Sequence, residues 1–203
     1  IYQRSSINQL LFACGIFVLI WINFTDGVKT FHMQPNYLQA QNVFLFLGLI
    51  RVIDMGTGLN SQIIGTSALW RFEFITGIII LAISLPLNYI LAKKMGVVGP
   101  AIATLLAAVI YNAIRYTFLL RKFNMQPFNI RTVFTLLLAL GGYWTAHLLF
   151  SEKTGIPGMV IRTAFFIIIY CGGALLLKLS PDIIPVWNTL KKKIPIPYLR
   201  SRK

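Results

Sequence analysis

The chain has 203 residues, 57% of them hydrophobic and 12% charged, with a formal net charge of +14. Apolar runs of about 18 or more residues almost free of charge exclude a soluble globular protein and define an integral membrane class. The basic residues lie between the apolar runs and are not interleaved with aromatic residues on a polar surface, so nucleic acid is not expected as a partner.

Taking about 20 apolar residues per crossing, the sequence predicts six transmembrane helices: Ile7 to Phe24, Asn42 to Ser67, Phe72 to Ala92, Ala101 to Leu120, Val133 to Phe150 and Val160 to Leu177. The runs are continuous rather than alternating, and lipid requires backbone groups to pair within their own segment, so helices are expected and not barrel strands. The predicted fold is an all-α integral membrane protein: a six-helix bundle over residues 1–180, followed by a basic cytoplasmic tail over 181–203. No basic stretch, short apolar core and cleavage site open the chain, so no signal peptide is expected and the sequence reads as a fragment. Cys14 and Cys171 both fall inside apolar runs and are read as small buried hydrophobes, not a disulfide.

Arg4, Arg71, the cluster Arg115, Arg121, Lys122 and Arg131, and the tail residues Lys191 to Lys193, Arg200, Arg202 and Lys203 gather at one set of span ends. The excess of Lys and Arg assigns that side to the cytoplasm, with both ends of the chain inside. Lys29, Lys153, Arg162 and the pair Lys93 and Lys94 fall on the other side. The lysine pair reads as snorkelling to headgroups, and the tail cluster as an anchor for anionic lipid.

Ionisable residues inside a crossing are costly and by default face the bundle interior or a watery cavity. At 100° per residue, Arg51, Asp54, Gly58, Ser61, Gln62 and Gly65 share about a third of the circumference of the second crossing. The third carries Glu73, Thr76, Gly77, Ser84 and Asn88 more loosely, and the fourth aligns Thr104, Tyr111 and Arg115. Candidate substrate-binding residues are Arg51, Gln62, Asn88 and Arg115, and Asp54 is the candidate ion-coupling residue. The plainer reading pairs Arg51 with Asp54 along their own helix and uses Ser, Thr and Gly as helix-packing contacts. Glu73, close to Arg71, reads as a surface residue. His32 and His147 stand alone, and there is no Cys/His metal spacing, phosphate loop or serine with a positioned base, so no catalytic residue, metal, cofactor or enzyme activity is expected.

Between the third and fourth crossings the sequence reads LNYILAKKMGVVGPAIATLLA, Leu87 to Ala107. Gly96 and Gly99 let the backbone turn, Pro100 fits the first turn of the next helix, and Ala101, Ala103, Thr104, Ala107 and Ala108 permit close approach. Pro86 and Asn88 are expected to kink or loosen the helix just before the turn. This stretch resembles the corresponding segment of bacterial polysaccharide flippases of the multidrug/oligosaccharidyl-lipid/polysaccharide exporter superfamily, and DMGTGLNSQIIGTSALWR, Asp54 to Arg71, is similar to the polar helix and short basic loop upstream of it. The resemblance covers residues 7–125; the last two crossings match in number and hydropathy alone.

The resemblance implies one lobe, the C-terminal one, of a two-lobe transporter that moves an undecaprenyl-pyrophosphate-linked oligosaccharide across the bacterial inner membrane by alternating access. It implies as partners the lipid-linked oligosaccharide, membrane lipids and a missing N-terminal lobe. The chain departs from the pattern in its length, half of what a complete transporter needs, and in Pro100, where a small residue is common. Within the same superfamily a multidrug/cation antiporter lobe is the alternative, with Asp54 as its deep carboxylate; outside it, a membrane-embedded glycan transferase.

Overall fold

The computed structural model describes residues 2–34, 36–182 and 185. Nearly all of the basic tail, including Trp187 and Lys191 to Lys193, lies outside the described residues. Seven helices follow one another: α1 Tyr2–Thr30, α2 Asn36–Thr57, α3 Asn60–Gly65, α4 Trp70–Met95, α5 Val98–Phe123, α6 Ile130–Phe150 and α7 Gly155–Leu176, with no strand among the described residues. All but α3 are long and apolar enough to cross a membrane. The chain is therefore an all-α, multi-pass membrane bundle.

One correction concerns the second predicted crossing, Asn42 to Ser67. It is not a single helix: α2 starts earlier and ends at Thr57, and the chain turns at Gly58 before the short α3. Gly58 has φ +70°, left-handed backbone that an L side chain rarely adopts. A Cβ there would also lie 3.0 Å from the Ser6 side chain. The break is fastened from α1, where the Ser6 hydroxyl donates to the Gly56 carbonyl and the Tyr2 hydroxyl donates to Asn60 Oδ1.

The core and the polar site occupy different halves of the bundle. In one half α1 packs against α6 and α7. Its residues Leu10, Leu11, Cys14 and Val18 meet Ala139 and Ala146 of α6 and Phe166, Tyr170 and Ala174 of α7 in one buried cluster. Small residues let the large rings in: Gly142 faces Phe166, and Gly15 faces Tyr170, whose hydroxyl donates to the Leu11 carbonyl at 2.8 Å. Cys14 is buried here as expected, whereas Cys171, one position from the packed Tyr170 face, is exposed. In the other half α5 packs against both α4 and α2, and α2 joins the core through Phe44, which stacks on Phe17, Trp21 and Phe24 of α1.

The hairpin between α4 and α5 is as short as its sequence implies, with Gly96 and Val97 alone between the helices. Gly96 has φ +61°. Gly99 lies directly on the Leu91 carbonyl of α4, leaving no room for a side chain. Helix α4 runs through Pro86 unbroken, and of its residues Thr76 alone is buried. The rest of its surface packs on α5 and α3, lines the cavity described next, or is exposed.

Candidate functional site

A cavity of about 820 Å³ opens between α2, α4 and α5, closed at one end by α3. Its polar wall is built chiefly from four helices, α2 to α5. Arg51, Asp54 and Thr57 come from α2, Ser84 and Asn88 from α4, and Thr104, Tyr111, Asn112 and Arg115 from α5; Ser61 and Gln62 project from α3. The five site residues read from the sequence, Arg51, Asp54, Gln62, Asn88 and Arg115, all line this one space. Gly65 of the predicted stripe, the last residue of α3, is not part of the lining, whereas Ser61 and Gln62 are.

The charges within the site are not paired as the plainer sequence reading has them. Arg51 and Asp54 do not form an ion pair. Asp54 Oδ1 instead accepts a hydrogen bond of 2.7 Å from the side-chain amide of Asn112, and Asn112 Oδ1 accepts one of 2.8 Å from the Thr57 hydroxyl. Asn112 is 4% exposed, so this small network is an internal clamp between α2 and α5. Arg51, by contrast, is exposed and has no hydrogen bond or ion pair among the described residues.

Glu73 is likewise corrected from a surface residue beside Arg71 to a half-enclosed partner of Arg115. The Arg115 guanidinium is paired with the Glu73 carboxylate, with Nε donating to Oε2 at 3.1 Å. It lies 3.5 Å over the ring of Tyr111. The hydroxyls of Tyr111 and Ser61 also donate to Glu73 Oε1, at 3.1 and 2.9 Å. One carboxylate thereby ties α3, α4 and α5 together. Arg115 is a cavity residue whose charge is already met, while Arg51 has no charged partner among the described residues.

Asn88 donates from its amide to the Ser84 carbonyl at 2.8 Å, which leaves its own side-chain oxygen as an acceptor. Gln62 is exposed at the α3 end of the cavity. Together these amides and the hydroxyls of Ser84 and Thr104 offer donors and acceptors without charge, the chemistry that suits a ligand rich in hydroxyl groups.

Arg51 also belongs to a second space. A groove of about 250 Å³ between α1 and α2 is walled by Phe12, Ala13, Ile16, Phe17 and Ile20 of α1 and by Phe44, Gly48, Arg51 and Met55 of α2. Apart from Arg51 that lining is wholly apolar. The edge of α2 formed by Phe44, Gly48, Arg51 and Met55 is shared by cavity and groove, so the guanidinium stands where a polar compartment meets an apolar one.

Sequence reasoning missed two features. Asn112, beside Tyr111 in an apolar run, was a visible polar signal within the fourth crossing. The second is a buried ion pair between Asp26 at the end of α1 and Arg162 of α7, with side chains 13% and 5% exposed; Arg162 also donates to the Gly158 carbonyl at 3.3 Å. Arg162, just inside the sixth predicted crossing, is thus a paired internal residue. No group of three or more metal-ligating side chains occurs among the described residues.

The fold and site define a multi-pass helical membrane protein with an amphiphilic cleft. No family model, no curated protein and no solved structure matches the chain.

Proposed function

We propose that this chain forms one lobe of a flippase for a lipid-linked oligosaccharide, carrying an undecaprenyl-pyrophosphate-linked glycan across the bacterial inner membrane. The observation that carries this reading is the position of Arg51, an uncommitted guanidinium in the wall shared by a polar cavity and an apolar groove. A lipid-linked oligosaccharide has the same three parts in the same order: hydroxyl-rich glycan, anionic diphosphate, apolar tail. Guanidinium grips phosphate oxygens in a two-pronged way and keeps its charge at any physiological pH. The uncharged amides and hydroxyls of the cavity suit the glycan, and the α1/α2 groove suits the first units of the prenyl tail.

In this reading Arg51 holds the diphosphate, Gln62 and Asn88 bind sugar hydroxyls, and Arg115 holds Glu73 and thereby the shape of the cavity. Asp54, clamped by Asn112, is the residue at which a coupling ion would act. A second lobe facing the cavity, membrane lipids around the bundle, and cytoplasmic placement of both chain ends complete the proposal. The test is thermal stabilisation of the purified protein by a short lipid-linked disaccharide, measured beside the free disaccharide and the polyprenol alone. The whole amphiphile should stabilise the wild type more than either fragment does. Arg51→Lys should weaken and Arg51→Ala abolish the difference; equal stabilisation of Arg51→Ala would reject the assignment.

A further inference from the structure

Beyond the cavity, a second and larger groove lies on the outer surface of the α4/α5 hairpin, with a volume of about 600 Å³. Phe72 of α4 and Ile110, Ala113, Ile114, Thr117 and Phe118 of α5 wall it, and Arg121 and Lys122 stand at its end. On α5 these wall residues centre about 120° around the helix from those facing the cavity. The groove therefore lies on the far side of α4 from the proposed substrate route.

From this arrangement we infer that the groove binds one anionic phospholipid, its acyl chain along α5 and its headgroup phosphate at Arg121 and Lys122. Length supports the occupant. From Ile110 to Lys122 a helix rises about 18 Å, close to the depth of one leaflet, roughly half of the ~30 Å hydrocarbon core. Ile110 lies midway along α5 and Lys122 in its last turn, so the groove starts near the membrane centre and ends at the headgroups.

Charge complementarity supports it as well. The chain has five acidic residues, and none neutralises this end of the groove. Asp26, Glu73 and Asp182 are paired with Arg162, Arg115 and Arg4. Asp54 is bound by Asn112, and Glu152 follows α6 at the opposite end of the bundle. Arg121 and Lys122 are exposed and without an acidic partner among the described residues. Basic residues in a last turn also offset the negative end of the helix dipole, but that role needs no apolar groove leading up to them. Basic sites between helices at a membrane face are where anionic headgroups bind.

The test is native mass spectrometry of the full chain released from nanodiscs containing equal phosphatidylglycerol and phosphatidylcholine of identical acyl chains. Wild type should retain one phosphatidylglycerol in preference. Arg121→Gln with Lys122→Gln should weaken that retention roughly 30-fold, the factor that two such charges supply at a membrane surface. Ala113→Phe, which fills the groove and keeps both charges, should remove the bound lipid as well. Both substitutions fall at exposed positions, and an unchanged melting temperature for each variant checks that the bundle is intact. Equal retention of the two lipids by wild type overturns the proposal. So does loss in the charge variant alone, which would mean surface attraction without a seated chain, or loss in Ala113→Phe alone, which would mean a groove indifferent to headgroup charge.

Discussion

At the scale of single residues, the buried charges of this bundle differ in whether they are matched. Asp26 and Arg162 are nearly sealed from their surroundings, so removing one leaves the other's charge uncompensated. Arg162→Leu should therefore cost about 3–5 kcal/mol, and Asp26→Leu combined with Arg162→Leu should cost less than Arg162→Leu alone. Unfolding in mixed micelles measures both. Asn112→Leu removes the amide donor from the Asp54 carboxylate, while the Thr57 hydroxyl keeps its bond to the Asp54 carbonyl, and about 1–3 kcal/mol is the expected loss. Arg51 and Asp54, three apart on α2 yet not paired, should behave independently. A double-mutant cycle on stability should give a coupling below about 0.5 kcal/mol. A coupling of several times that size would mean that the two charges neutralise each other, and the proposed role of Arg51 as the cation open to substrate would fall.

At the scale of elements, two glycines set the geometry of the cavity. Gly58 ends α2 and re-aims the chain into α3, which carries Ser61 and Gln62 into the site. Gly99 sets how closely α5 approaches α4. Gly99→Ala must push the helices apart against the Leu91 carbonyl, and overpacking of this kind costs about 1–3 kcal/mol. Gly172→Ala is the control: a Cβ there meets nothing within 4 Å, and replacing glycine inside a helix should leave stability unchanged or raise it by about 0.5–1 kcal/mol. Comparison of the two melting temperatures checks the argument. Near the start of α1, the guanidinium of Arg4 and then the amide of Asn8 hold the Asp182 carboxyl at about 2, below its ordinary 3.8. A depressed carboxyl adds stability above its unfolded value and loses it as pH falls through the folded one. The contact between α1 and the segment after α7 should thus be intact at neutral pH and released between 3.8 and about 2. Asp182→Asn should abolish that acid step in hydrogen exchange of residues 2–8.

At the scale of the whole molecule, alternation of six crossings puts the α3 to α4 connection and the α6 to α7 connection on opposite sides of the membrane. Arg4, Arg71, Arg121, Lys122 and Arg131 share the first side. With Arg162 withdrawn into its pair, the charge asymmetry that orients such bundles is sharper than a count of basic residues implies. In intact cells, a cysteine replacing Ser151 should react with a membrane-impermeant thiol reagent and one replacing Thr66 should not; both positions are exposed. The opposite labelling would invert the orientation.

The sequence by itself determined the class, the number of crossings, the tight α4/α5 hairpin and the identity of the polar residues that end up in one cavity. Each of these follows from local rules: a run of apolar side chains must cross as a helix, a glycine permits a turn, and a polar residue within a span must be turned from lipid. Tertiary structure decided the partners. Asp54 is three residues from Arg51 yet is bound by Asn112, 58 positions away, and Glu73 lies next but one to Arg71 yet is paired with Arg115, 42 positions away. Spacing along one helix states which charges share a face, but it does not weigh a neighbour on the same helix against a donor on another. That choice was made when Gly58 broke the second crossing and α5 packed between α2 and α4. The same packing left Arg51 without a partner among the described residues, at the edge where the polar cavity meets the apolar groove.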